Sequence, residues 1–139
     1  MSIEENKNIV RRYQDIYNSN NLDDLLEVVS EDLLTPRIMA GVPHGIEGAK
    51  AAHRIMLDGC PDYQTVIEYL FAEGDKVAAR VTITGTHTGV LMGVPPTGKK
   101  IVFTGIYICR IANGKIVEHW GEEDGVSLLS QLGLRFMPE

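Results

Sequence analysis

Residues 101–124 read IVFTGIYICRIANGKIVEHWGEED. Two runs rich in β-branched and aromatic residues flank Asn113-Gly114, the dipeptide that most strongly favours a tight hairpin turn. The second run delivers His119 and Trp120 to its end and passes into Gly121, Glu122, Glu123 and Asp124. A long hairpin ending in this way carries acid–base groups to the rim of an apolar space. Two registers are open. A two-residue turn pairs Ala112 with Lys115 and sets Tyr107 opposite Trp120. A three-residue loop with Gly114 in a bulge pairs Ile111 with Lys115 and sets Tyr107 opposite His119. A one-residue slip exchanges the faces of a strand. In the bulged register Phe103, Gly105, Tyr107, Cys109, Val117, His119, Gly121 and Glu123 share one face. In the other, Tyr107 shares its face with Glu118, Trp120, Glu122 and Asp124.

Upstream of the hairpin the period is also two. Thr65, Ile67, Tyr69 and Phe71 alternate with Val66, Glu68 and Leu70; Glu73-Gly-Asp75 turns the chain, and Val77, Ala79, Val81 and Ile83 continue the alternation. A Gly- and Pro-rich loop, 93–98, joins this strand to the hairpin. The first half of the chain has helical spacing instead. Ser2 and Glu5 fit a capping box, and Ile9, Val10, Tyr13, Ile16 and Tyr17 form one apolar stripe. A short second helix follows, with Leu22, Leu25, Leu26 and Val29 on one side and Asn21 as its cap. Residues 33–39 read as an extended segment that Pro36 confines to an edge or an irregular strand. A third helix runs from about Ile46 to Asp58, with Gly59 in the left-handed position that ends it. A last short helix covers Val126 to Leu132. Helices first and four consecutive antiparallel strands afterwards predict an α+β fold in one domain, 1–139. Strongly twisted strands with helices on one side curl into a half-open cone, whose hollow suits a small molecule.

The balance of 13 basic and 19 acidic residues gives a formal charge of -6, which argues against nucleic acid as a partner. The longest apolar runs are too short for a membrane helix, there is no polybasic run, and Met1-Ser-Ile-Glu-Glu-Asn has no signal-peptide pattern. A cytoplasmic location is expected. Cys60 and Cys109 read as reduced core residues. With no Cys-x-x-Cys, phosphate loop, dinucleotide fingerprint, zinc-helix motif or nucleophile elbow, no metal and no cofactor are expected.

The candidate chemistry is therefore acid–base work in an apolar pocket. His119 titrates near neutral pH and suits a proton shuttle; its alternative is a histidine bonded to a neighbour. Tyr107 offers a hydroxyl on an apolar body, for polarising a carbonyl or for packing. Glu122, Glu123 and Asp124 either include a carboxylate with a raised pKa or form a solvated turn in which Asp124 caps the last helix. His87, at a strand end, reads as a loop anchor. It joins Trp120, Phe103 and Gly121 as a candidate substrate contact. His44 and His53 read as incidental.

Several stretches together resemble the SnoaL-like polyketide cyclases: GTHTGVLMGVPPTGK at 85–99, FTGI at 103–106, RIANGKIVEHW at 110–120, LLSQLG at 128–133, Gly45-x-x-Gly48 and Ala72-Glu-Gly-Asp75. The resemblance spans nearly the whole chain. It implies an NTF2-like cone, with N-terminal helices packed on a strongly bent, mainly antiparallel sheet, assembled as dimers or tetramers. It also implies cofactor-free intramolecular aldol chemistry on a cyclic, polyketide-like small molecule. In that family an aspartate two residues beyond the histidine is the general acid/base, and a histidine on the preceding strand polarises the substrate. Here those positions read Gly121 and Tyr107, and an early-strand Asn-His pair reads Thr35-Pro36. The resemblance favours the face shared by Tyr107, His119 and Gly121. It implies an enzyme with His119 as shuttle, Tyr107 as hydrogen-bond donor, and Asp124 or Glu122 tuning His119. The alternatives are a non-catalytic binder, which Gly121 favours, and a cofactor-independent hydroxylase on the same scaffold.

Overall fold

The computed structural model describes residues 2–37 and 39–135. Helix α1 (Ile3–Ser19) starts at the expected capping box: Ser2 Oγ accepts from the Glu5 N–H at 3.0 Å, and the Ser2 N–H donates to Glu5 Oε1 at 3.2 Å. Asn20, left-handed at φ 62, ends it. The expected second helix is reduced to a 3-10 turn over Leu22–Glu27, and the Asn21 side chain makes no capping bond. Val28 and Val29 are β-branched, and pairing of Val29 with Ile116 draws the chain into strand β1 (Val29–Arg37).

Helix α2 (Gly45–Gly59) leads through Cys60 to β2 (Gln64–Glu73), β3 (Lys76–Thr86), β4 (Lys100–Ala112), β5 (Lys115–Glu123) and helix α3 (Gly125–Gln131). The strands form one sheet in the order β1-β5-β4-β3-β2. Strands β2 to β5 are the expected antiparallel series. The 33–39 segment contributes more than an isolated edge: β1 pairs parallel with β5, with two register shifts. The sheet is mixed, and Pro36 sits on its edge strand, where a missing N–H is tolerated. Ile38, in the same expected segment, lies outside the described residues.

Three expectations change on contact with the structure. Gly59 is not left-handed; it is the last helical residue, and a Cβ there would stand 2.6 Å from Leu91 Cβ. Its smallness lets the 87–99 loop dock, with the Thr88 and Gly89 N–H groups donating to the Gly59 carbonyl at 3.1 and 3.0 Å and Leu91 fully buried. The alternation in β2 breaks at a bulge between Ile67 and Tyr69, so Tyr69 and Phe71 turn outward while Leu70 and Ala72 turn inward.

The hairpin register is neither of the two expected. Asn113 (φ 51) and Gly114 (φ 75) make the two-residue turn that pairs Ala112 with Lys115. The pairing then slips by one residue inside β5, between the Ile111–Ile116 and Arg110–Glu118 pairs. Tyr107 consequently faces Gly121, and Cys109 faces His119. The internal slip gives the same face assignment for His119, Gly121 and Glu123 as the bulged alternative, since the two differ by an even number of residues. Ile116, rather than Val117, is the buried residue before the slip.

Inward rows therefore run Ala72–Val77–Cys109–His119, Leu70–Ala79–Tyr107–Gly121, and Ile67–Val81–Gly105–Glu123. Helix α1 covers this face with Val10, Tyr13 and Ile16, all buried. The other face carries a row Phe71–Ala78–Ile108–Trp120 across four strands. Among the described residues no helix is long and apolar enough to cross a membrane.

Candidate functional site

Strands β4 and β5 place Tyr107 and His119 in diagonal positions on the concave face, and their rings stack at 5.1 Å. Helix α1 lowers Tyr13 onto both, at 5.9 Å from Tyr107 and 5.8 Å from His119. One helical turn later Tyr17 meets Tyr13 at 4.9 Å and His53 of α2 at 4.9 Å. Tyr63, just before β2, closes the series 5.4 Å from His53. The result is a continuous array of four tyrosines and two histidines.

Burial sets the electrostatics of this array. Tyr107 and Tyr13 are pushed well above the ordinary tyrosine range by desolvation, and Tyr17 and Tyr63 are raised to about 12 by the same cause. His53 and His119 move the other way, to about 4, because burial disfavours the imidazolium. A hydrogen bond to its own backbone only partly opposes the shift at His119. At neutral pH these six rings are uncharged. His119 nevertheless keeps part of its surface accessible.

The polar ends are held in place. The Tyr107 hydroxyl donates to Gln14 Oε1 at 3.1 Å in a buried pair, and His53 Nε2 meets Asn20 Oδ1 at 2.9 Å. The Tyr107 proton is thus engaged by α1. Gly121 lies beside the stacked pair: a Cβ there would lie 3.4 Å from His119 Cε1 and 4.0 Å from Tyr107 Cβ, ordinary contact.

The other residues singled out from the sequence lie elsewhere. Phe103 shares the concave face but packs in the core beside Ile83. Trp120 and Glu122 point to the convex face, opposite Ile108 and Ile106, because they alternate with His119 and Gly121. The Trp120 Nε1–H donates to Glu118 Oε1 at 2.5 Å. Asp124 caps α3, accepting from the Ser127 N–H at 3.0 Å. Neither Glu122 nor Asp124 is brought to His119. His87 is fully buried, with Nδ1 3.0 Å from Thr97 Oγ1, so it anchors the 87–99 loop. Thr35 is buried and its hydroxyl accepts from the Gly45 N–H at 2.7 Å, starting α2.

Tyr13, Gln14, Tyr17, His53 and Tyr63 were not legible as site residues. Their one signal was the four-residue spacing of Tyr13 and Tyr17, which also serves plain packing. Among the described residues no cluster of three or more His, Cys, Asp and Glu comes together as metal ligands would. The arrangement suits hydrogen bonding to, and proton movement on, a neutral or carbonyl-bearing aromatic molecule.

A family model for SnoaL-like polyketide cyclases matches residues 7–132. The aklanonic acid methyl ester cyclase DauD of Streptomyces sp. (strain C5) is 30% identical over 128 residues, covering 90% of this chain and 80% of that protein. The nogalonic acid methyl ester cyclase of Streptomyces nogalater is 31% identical over 122 residues, covering 84% and 89%. The solved structure of TsrD from Streptomyces laurentii superposes with a TM-score of 0.85 at 28% identity, covering 96% of this chain and 98% of that one.

Proposed function

This chain belongs to the SnoaL-like polyketide cyclase family, and from that premise we propose that it is a cofactor-free enzyme closing a ring on a polyketide-like carbonyl compound by acid–base chemistry. The observation that carries the reading is His119: stacked on Tyr107, neutral at physiological pH, partly accessible, and beside Gly121. A neutral imidazole donates a hydrogen bond to a substrate carbonyl oxygen and stabilises the enolate formed when the adjacent carbon loses its proton. The enolate carbon then attacks a second carbonyl of the same molecule, a C–C bond forms, and the new alkoxide recovers the proton from the base that took it from the carbon. The product is an isomer of the substrate. Tyr107, held by Gln14, fixes the imidazole plane, and Tyr13 and Tyr17 supply aromatic walls.

The substrate class follows from the relatives, whose names specify methyl esters of aklanonic and nogalonic acids. We place the protein in the cytoplasm, where Cys60 and Cys109 remain the buried free thiols seen here. The convex face, with Tyr69, Phe71, Ile106, Ile108 and Trp120 exposed on adjoining strands, is assigned to a second copy of the chain, in a homodimer or homotetramer.

The test is incubation with aklanonic acid methyl ester and nogalonic acid methyl ester. A ring-closed product of unchanged mass supports the enzyme. Retention of either ester, bound and unreacted, favours the second reading, a binding protein, to which Gly121 lends its weight because glycine transfers no proton.

A further inference from the structure

The reading above leaves an inward-facing carboxylate without a part. Glu123 lies two residues beyond Gly121 on the same face, in the row Ile67–Val81–Gly105–Glu123. Its neighbours in that row are apolar, and Val81 and Gly105 are buried. Gly105, directly opposite, has no side chain, and the Glu123 stem fills the gap: a Cβ at Gly105 would sit 3.0 Å from Glu123 Cγ. After desolvation, the Glu123 charge adds to what raises the pKa of Tyr63. Among the described residues no hydrogen bond or ion pair engages the Glu123 carboxyl. The side chain is exposed, and it lines a groove of about 220 Å³ together with Arg80, Thr104, Gly105, Ile106, Glu122 and Asp124. Enough protein surrounds it for desolvation to raise its pKa. An unpaired carboxylate, aimed along an apolar row and reachable from solvent, has no structural employment.

The geometry points to Glu123 as the proton acceptor of this site, replacing a carboxylate at position 121 from one pleat farther along β5. The inference rests on the enzyme reading. Two residues of strand span about 7 Å, and the His119 ring leans toward Gly121. A flat substrate over Gly121 then meets His119 with its carbonyl oxygen and Glu123 with the acidic C–H beside that carbonyl. Glu123 takes the proton, the C–H electron pair becomes the enolate, and after the C–C bond has formed the carboxylic acid returns the proton to the alkoxide. The cycle consumes nothing else.

Ethyl benzoylacetate, an aryl β-keto ester, is the probe. Its α-proton exchange in buffered D2O is followed by NMR with native protein, with Glu123→Gln and without protein, and the melting temperatures of both proteins are measured at pH 7. The expected result is acceleration by the native chain, a loss of about 10²-fold or more in Glu123→Gln, and a melting temperature that is unchanged or higher, since the variant removes a desolvated, unpaired charge. Exchange by Glu123→Gln within threefold of native overturns the assignment while leaving the enzyme reading intact. A lowered melting temperature makes Glu123 structural and also overturns it. No acceleration by the native chain removes the enzyme reading and the assignment together.

Discussion

The two faces of strand β5 treat the same side chain in opposite ways. Glu118 points outward, where the indole N–H of Trp120 and then the Arg110 side chain at 2.9 Å hold its carboxyl below the ordinary range. Glu123, past the point where the pairing has slipped by one residue, points inward, and desolvation raises it. The histidines follow the inward pattern, driven to about 4. The convex face neutralises its charges by pairing and leaves its apolar groups in the open. The concave face hides its apolar groups, keeps its tyrosines and histidines neutral, and pushes the Glu123 carboxyl upward. Proteins tolerate the second arrangement where chemistry uses it, and the first where another surface covers it.

The largest effect separating the faces is pH-dependent stability. Unfolded histidine titrates near 6.5, and folded His53 and His119 near 4. Between those values the unfolded chain binds a proton at each ring that the folded chain refuses. Stability is full above about pH 6.5 and falls as pH drops toward 4, by about 1.4 kcal/mol per pH unit for each histidine. Melting curves between pH 7 and 4.5 check this, and His53→Gln should halve the slope. A melting temperature independent of pH across that range would mean that the concave face is wet. Next comes Ile108→Asp, in the centre of the convex row. It should dissociate the assembly in sedimentation velocity while ester turnover per chain persists; unchanged sedimentation would remove this face from the interface. The smallest effect is that of Tyr107→Phe, which deletes the buried bond to Gln14 and should lower stability by about 1 to 2 kcal/mol in denaturant titrations.

The contrast between the faces was partly visible in the sequence. Asn113-Gly114 located the hairpin; periodicity left its face open, and the family resemblance chose the one shared by Tyr107, His119 and Gly121. The position of the slip was not visible, because it arises where β5 also pairs with β1, at Val29–Ile116, a contact between distant segments. Tyr69 and Phe71 were misplaced for the same reason: a bulge at Glu68 reverses a stripe that reads as regular. The site was legible on the strands and hidden on the helices, since only packing brings Tyr13, Tyr17 and His53 over the sheet. Glu123 was obscured by Glu122 and Asp124, although its two-residue steps from His119 through Gly121 were the available signal.

The most direct test of the central claim is turnover of aklanonic acid methyl ester by native protein and by His119→Ala, with ester binding measured on both. The concave face predicts a fall in kcat of about 10²- to 10⁴-fold with binding largely retained. Equal turnover by the two proteins would contradict it.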